Sequence, residues 1–357
     1  MMLVEGLGIY GQFVDSPYFG IPRVESRSMS RELKLNNQSK TDTAPATQVK
    51  HETLSNQLKS LVDERLEHFF QDCSASSRLG FAARHGLLSP GKRLRPIITI
   101  LAGGQSDDAS YSPALLDAAC AVEMVHAASL IMDDLPSMDN AKLRRGAPTT
   151  HIVFGEAAAT LAAIALLNEA YKTITKAKGV PADARLRAME YLTNAVGIEG
   201  LAGGQDQDIA CQGDMGKIDN SDSIQHSNNL KDMEKRHLEK TGALFAAAAA
   251  IGGEFAGLES SKIDHLFDYG CYLGLAYQAY DDVIDVSTCT SLSGKDTEQD
   301  QDKSTVVSIL GTDGARILAE RHLERAISAA KLASVSEDEP LADLARQIGM
   351  SFNRLTR

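Results

Sequence analysis

Tryptophan is missing from this 357-residue chain, and aromatic residues of every kind make up only 5% of it. Sandwiches and barrels draw on aromatic and β-branched side chains, so an interior that is 43% hydrophobic and rich in Ala and Leu favours helices. Basic charge is not in excess either. The formal net charge of -12 excludes a general nucleic-acid binder, although it leaves room for a polyanionic ligand, because a divalent cation inverts the local sign of an acidic site. The five cysteines (Cys73, Cys120, Cys211, Cys271 and Cys289) form no closely spaced metal-binding pair. Their odd count and wide spacing point to free thiols in a reducing compartment, so the expected location is cytoplasmic. No uninterrupted apolar run reaches membrane-spanning length, and no secretory signal pattern opens the chain. No Gly-rich phosphate loop of nucleotide-binding spacing occurs, so ATP is not implied.

Residues 1–50 mix Gly, Pro, Ser, Asn and Thr with alternating charge and read as a flexible N-terminal extension, with a targeting role left open. Residues 51–357 are expected to form a single all-helical domain. The periodicity predicts helices over Val49–Gln71, from Ser112-Pro113 to Asp134, and over Ile152–Lys176 and Ala182–Gly197. Three more are predicted over Asn228–Ile251, Ile263–Val286 and Ala315–Ala333. No strand-like alternation and no repeat competes with them.

What the chain has in abundance is carboxylate beside apolar, helix-like runs. Asp133-Asp134-Leu135-Pro136-Ser137-Met138-Asp139 follows Ala127–Met132, and Asp281-Asp282-Val283-Ile284-Asp285 follows Leu273–Tyr280. Soluble proteins rarely set so many carboxylates beside buried faces unless something cationic holds them. The pattern therefore reads as a site where divalent ions bridge carboxylates to a diphosphate. Asp281 and Asp285 share a helix face, with Gln278 one turn upstream, and their proximity opposes joint ionisation unless cations compensate. Pro136 breaks the first cluster, and the resulting turn could fold Asp139 back toward Asp133. Either cluster alone could instead be a solvated helix end.

Basic residues accompany both clusters. Lys92, Arg93 and Arg95 form a compact group, Arg144-Arg145 follows the first cluster, Lys240-Thr241 opens an apolar helix segment, and Lys295 and Lys303 follow the second cluster. Arginine grips phosphate through a rigid fork and lysine through a flexible cation, while each residue alone could be ordinary surface charge. Gly203-Gly204-Gln205 with Asp206 and Asp208 is less specific: helix packing could explain the glycines, and Gln205 and Asp208 are candidates for a cavity wall.

In this order, over nearly all of residues 80–311, these elements resemble the trans-isoprenyl diphosphate synthases, and particularly the bacterial geranylgeranyl diphosphate synthases of carotenoid pathways. The resemblance implies an isoprenoid-synthase-type helical bundle around a deep central cavity, in a homodimer. It implies Mg2+, with Mn2+ able to substitute, and three ions in the closed substrate complex. Asp133 and Asp139 would coordinate metal from one wall and Asp281 from the other, with Asp134, Asp282 and Asp285 supporting the ions directly or through water. Arg144, Lys240 and Lys295 would engage an allylic diphosphate of C5, C10 or C15. Lys92, Arg95, His126 and Arg145 would bind the diphosphate of isopentenyl diphosphate, and Arg93 and Lys303 are further substrate-binding candidates. Gln205, Asp208, Thr241 and Gln278 would line the inner wall. By composition His126 reads as a satisfied helical histidine; the resemblance makes it a ligand. The implied reaction is metal-assisted loss of the allylic diphosphate, attack by the C3–C4 double bond of isopentenyl diphosphate, and proton loss to the released diphosphate.

The growing hydrocarbon would run down the helix that ends in Asp133. Ala128 and Ser129 are small where aromatic residues would shorten the cavity, which fits a C20 product, although close helix packing could equally explain them. Val125, Met124 and Ala121 lie farther along the helix, and Phe154 could close the cavity. A farnesyl (C15) or longer (C25+) product stays open. Met132, Asn140-Ala141-Lys142 and Val306-Val307 depart from the commonest pattern of the resembling enzymes without removing an expected ligand. Three other readings remain. A terpene cyclase would consume a long allylic diphosphate without isopentenyl diphosphate, a regulatory prenyltransferase subunit would act through a partner, and a helical interaction protein would carry the acidic stretches as solvated surface.

Overall fold

The structure, a computed structural model, describes residues 45–69, 77–104, 111–212, 223–291, 305–333 and 339–355. Residues 1–44, which hold most of the expected N-terminal extension, and the segment carrying Lys295 and Lys303 lie outside the described residues. In chain order the elements are α1 (Pro45–Phe69), α2 (Arg78–Leu87), α3 (Leu94–Gly103), α4 (Pro113–Asp133), a hairpin of β1 (Leu143–Arg144) and β2 (Ala147–Pro148), and α5 (Thr150–Phe154). There follow α6 (Glu156–Thr175), α7 (Ala182–Val196), α8 (Leu201–Gln212), α9 (Ser223–His237) and a π-helical turn, Leu238–Gly242. The chain then forms α10 (Ala243–Phe255), α11 (Ser260–Ser291), α12 (Val306–Ala333) and α13 (Pro340–Leu355). Among the described residues, the antiparallel hairpin is the sole β-structure. The all-helical fold expected from composition is what forms.

The core is built on small side chains. Every residue of α10 from Ala243 to Glu254 is buried, and α10 packs against α3, α7 and α11. A Cβ on Gly270 would lie 2.4 Å from the Ala246 Cα, and one on Gly274 would lie 2.5 Å from the Gly242 Cα. The backbones of α10 and α11 therefore meet with no room for a side chain between them. Dense packing of this kind leaves little slack for added methyl groups.

Helix α4 is the axis of the site. It starts as its sequence announces, with the Ser112 hydroxyl accepting a hydrogen bond from the Leu115 N–H at 3.1 Å and Pro113 in the first turn. Twelve of its residues are buried, among them Glu123, and it packs against α3, α6 and α10. By length and composition α4 is apolar enough to cross a membrane, but 67% of that window is buried within the fold. A helix that is apolar all round is a core helix when other helices cover it.

Three elements differ from the periodicity. The predicted Ile152–Lys176 helix breaks at Gly155, whose φ of 82° is in the left-handed region. The Asn228–Ile251 prediction is interrupted by the π-helical turn and extends to Phe255. The helix ending at Ala333 starts at Val306 and breaks at Gly311 (φ 70°). Cys120 and Cys271 are free thiols, and burial pushes both well above their usual range.

Replacing Gly270 with Ala should separate α10 from α11 and destabilise the fold by about 1–3 kcal/mol. A lowered thermal transition with unchanged helical circular dichroism would show this; an unchanged transition would contradict the packing argument.

Candidate functional site

The first acidic cluster is shaped by its backbone. The Asp139 N–H donates to the Asp133 carbonyl at 2.9 Å, and the Ala141 N–H donates to the Asp134 carbonyl at 3.2 Å. The turn thus closes on the end of α4, as Pro136 and the spacing predicted, and Asn140 takes a positive φ of 49° to complete it. Asp134 is buried and accepts a hydrogen bond from Arg144 Nε at 2.7 Å. Burial raises the Asp134 carboxyl despite that arginine. Burial likewise pushes Asp133 up to about 6, with Lys240 opposing the rise and Asp139 adding to it.

Arg144 and Arg145 are adjacent in sequence but serve different places. Arg144 pairs with Ala147 across the hairpin, and the two-residue loop between them, Arg145-Gly146, has φ values of 52° and 81°. Positive φ at both positions is the turn whose twist suits a tight hairpin. Glycine adopts it freely, whereas an arginine there is strained, a feature that collects at functional sites. The turn sends Arg145 to the Pro90 carbonyl, to which its Nη1 donates at 2.5 Å.

A cavity of about 520 Å³ lies beside α4. Lys92, Arg95, His126 and Arg145 line it together with Thr241, Gln278 and Asp281. His126 Nε2 accepts from Arg95 Nη1 at 3.4 Å. Burial, and then the neighbouring arginines, hold its imidazole well below the usual histidine range, so it is neutral. Arg95 lies over the Phe245 ring at 4.3 Å, and its Nε has no protein partner although it is buried. A second cavity of about 390 Å³, on the hairpin side, shares Arg93, Glu123, His126 and Arg145 with the first and reaches Asp134 and Arg144.

The π-helical turn delivers the opposite wall. A Cβ on Gly204 would lie 2.5 Å from the Lys240 backbone nitrogen, so the glycine pair in α8 is explained by close approach to this turn. Lys240 Nζ then meets Asp208 Oδ2 at 2.5 Å. The Thr241 hydroxyl donates to Gln278 Oε1 at 3.0 Å, and Gln278 Nε2 donates to Asp282 Oδ1 at 3.2 Å. The Val306 N–H completes Asp282 at 2.9 Å. Burial pushes Asp282 up to about 6 and Asp281 up to about 7, the latter helped by Asp285 and opposed by Lys92. Gln205 is buried with its Oε1 unpartnered.

The structure thus gives Asp133 the charged neighbours Lys240, Asp139, Arg144 and Asp134, and gives Asp281 the charged neighbours Asp285, Lys92, Asp282 and Arg95. Among the described residues, no three acidic, histidine or cysteine side chains converge as a ready-made cation site. Ala128, Val125 and Met124 are buried on α4, and the Ser129 hydroxyl donates to the His126 carbonyl at 2.9 Å.

One expectation is corrected. Arg93 is not a free substrate ligand: it is buried, and its three arms donate to Asp63 (2.8 Å), Glu123 (2.6 Å) and the Ser89 carbonyl (3.0 Å). The chain-length candidates Phe154, Ala128, Ser129, Val125 and Met124 line neither of the two cavities described here, and the Phe154 ring packs edge-on against His85 at 5.6 Å. Sequence reading also missed Glu123, which is buried among Arg93, Arg95 and Arg145. A single acid in the apolar run of α4, three residues before His126, was the available signal.

Comparison with known proteins agrees with this geometry. The family model described as polyprenyl synthetase matches residues 77–337. The chain is 41% identical over 270 residues to a geranylgeranyl diphosphate synthase of Pantoea ananas, covering 76% of this chain and 84% of that one. It is 35% identical over 306 residues to a farnesyl diphosphate synthase of Geobacillus stearothermophilus, covering 81% and 97%. Among solved structures, an FPP/GFPP synthase from Zymomonas mobilis in its apo form superposes with a TM-score of 0.71 at 28% identity, covering 85% of this chain and 99% of that one.

Because the Asp281 carboxyl is raised in the folded protein, the native state holds its proton more tightly than the unfolded chain does. Its ionisation therefore removes stability as pH rises from the ordinary carboxylate range through about 7. Asp281→Asn in metal-free buffer should melt at a higher temperature than the unsubstituted protein at pH 8 and show no such gain at pH 5. An equal offset at both pH values would refute this.

Proposed function

The chain belongs to the polyprenyl synthetase family and is a chain-elongating prenyltransferase of the trans-isoprenyl diphosphate synthase type; we propose that it joins isopentenyl diphosphate to allylic diphosphates and ends at geranylgeranyl diphosphate. One observation carries the reading. The basic cavity formed by Lys92, Arg95, His126 and Arg145 opens onto Asp281 and Gln278 of the opposite wall, so a diphosphate held by the first group lies beside the second acidic cluster.

In this reading Lys92, Arg95 and Arg145 hold the diphosphate of isopentenyl diphosphate, and the neutral His126 orients it by hydrogen bonding. Lys240, anchored by Asp208, and Arg144, anchored by Asp134, face the allylic diphosphate, with Lys295 joining them. Thr241, Gln278, Gln205 and Asp208 shape the wall. Family members use Mg2+, and the donor set fits a hard cation: oxygen ligands whose ionisation burial opposes, on both walls. Asp133, Asp139 and Asp281 would hold the ions, with Asp134, Asp282 and Asp285 in support. Three ions in the closed substrate complex are part of the proposal. When bound, the metal stabilises the negative charge that develops on the departing diphosphate. The protein's own contribution is preorganised cations at that same position, and buried apolar α4 side chains that keep water from the reactive allylic end.

Chain length is read from α4. In this reading the small side chains of Ala128 and Ser129 would leave room for the growing hydrocarbon below Asp133, which favours C20 over C15. A homodimer fits the exposed apolar side chains of α6 and α7, where Leu161, Ile164 and Leu186 are 54%, 56% and 69% exposed. A cytoplasmic location and the lack of a stable membrane span are also part of the proposal, supported by the unpaired thiols Cys120 and Cys271 and by the burial of α4.

The test is product analysis of the purified chain with isopentenyl diphosphate and C5, C10 or C15 primers. Mg2+-dependent C20 diphosphate is expected, chelation should abolish it, and Asp133→Asn should lower turnover by about a hundredfold or more. Ser129→Phe should shift the endpoint to C15; an unchanged C20 endpoint would sink the cavity argument. Consumption of a long allylic diphosphate without isopentenyl diphosphate would favour a cyclase, and no elongation by folded protein would favour a regulatory subunit. Leu161→Asp should convert a dimer to a monomer in sedimentation, and an unaffected assembly would place the interface elsewhere.

A further inference from the structure

Lys92 is exposed at the rim of the larger cavity, yet its ammonium is not left to solvent alone. Nζ lies 5.6 Å from the centroid of the Tyr277 ring and 5.4 Å from that of Phe352. Both distances are within the reach of a cation–π attraction. The two rings are themselves fixed. Phe352 is 3% exposed, stacks on Tyr280 at 4.7 Å with an interplanar angle of 7°, and meets Tyr277 edge-on at 5.4 Å and 86°. Tyr277 in turn touches Phe245 at 5.8 Å, the ring beneath Arg95. One continuous aromatic shelf therefore backs both basic side chains that open the α3 segment. Tyr277 is on α11, Phe245 on α10 and Phe352 on the last helix, α13.

We infer that Phe352 is a positioning residue for isopentenyl diphosphate binding: its ring, with that of Tyr277, holds the Lys92 ammonium at the cavity rim before the diphosphate arrives. This rests on the reading of that cavity as the isopentenyl diphosphate site. A free lysine has many rotamers, and all but a few are lost when it grips a phosphate oxygen. A side chain already confined over two ring faces loses less on binding, which is the general gain from preorganisation. The ring does not touch the substrate; its effect reaches the ligand only through Lys92. Lys92 then binds diphosphate in the presence of an intact C-terminal helix and more weakly without it. Substrate affinity is in this way tied to residues more than two hundred positions away in the sequence.

The experiment compares Phe352→Leu, which keeps an apolar side chain and removes the ring, with Phe352→Tyr, which keeps the ring. For Phe352→Leu, the KM for isopentenyl diphosphate should rise about five- to tenfold, with kcat and the KM for the allylic primer within about twofold of the unsubstituted enzyme. Phe352→Tyr should restore the lower KM. In a Lys92→Ala background the Leu substitution should add little, since the interaction it removes is already gone. An unchanged KM, an equal loss in kcat and in both KM values, or a full-sized effect without Lys92 would each overturn the inference. If Phe352→Leu does not fold, Phe352→Met fills the space and carries the same expectations. If the unsubstituted chain elongates no primer at all, the enzymatic reading fails instead. The inference is then decided by calorimetry with inorganic diphosphate, whose binding should weaken by the same factor in the Leu variant and not in the Tyr variant; equal binding by both would overturn it.

Discussion

Like charges are forced together on both sides of one cavity, and much of the surrounding structure serves to hold them there. On one side Arg93, Arg95 and Arg145 crowd around a neutral His126, and on the other Asp281, Asp282 and Asp285 crowd one another. Burial makes His126, Asp281 and Asp282 harder to charge, and repulsion from like-charged neighbours adds to it. The protein relieves the basic side internally with Glu123, a buried carboxylate that accepts from Arg93 and faces Arg95 and Arg145. Removing one member of such a buried set would leave the others uncompensated. On the acidic side Asp282 accepts from a glutamine and a backbone N–H, while Lys92 and then Arg95 oppose the rise of Asp281.

Holding such walls at a fixed separation is a packing problem. It is met with glycine and alanine rather than with long side chains. Gly204 lets α8 approach the backbone of Lys240, and Gly274 lets α11 approach Gly242 from the other direction. The π-helical turn is clamped between two helices at the residues that face the cavity. Turns of this type recur at functional sites because they displace a side chain that a regular helix would place elsewhere. Here the displaced residues are Lys240 and Thr241, and both are fixed by side-chain hydrogen bonds.

Much of this was legible in the sequence, and the unread parts share a cause. Apolar periodicity, the Ser112-Pro113 cap and the Gly punctuation located most long helices, and Pro136 with Asp139 announced the closed turn. Short elements escaped: α2, α8 and the hairpin have too few residues to show a period, and α13 had no marker beyond its amphipathic pattern. Carboxylates and basic residues were found because charge beside an apolar run is conspicuous. Whether a charged side chain faces ligand or framework is not written in its type. Arg93 and Arg95 are two residues apart in one basic group, yet one is consumed by Asp63 and Glu123 while the other lies over Phe245 with an open Nε. The aromatic shelf was invisible for a related reason, since Phe245, Tyr277 and Phe352 come from three separate helices and only the fold makes them neighbours.

The π-helical turn has one more consequence. A turn of this kind houses an extra residue compared with an α-helix of the same rise, so the helical register slips there by about 100°. Before the slip, α9 ends in Lys235, Arg236 and His237; after it, α10 is buried on every side. The two helices on either side of the turn therefore present differently phased rows of side chains, and Lys240 and Thr241 sit at the change of phase.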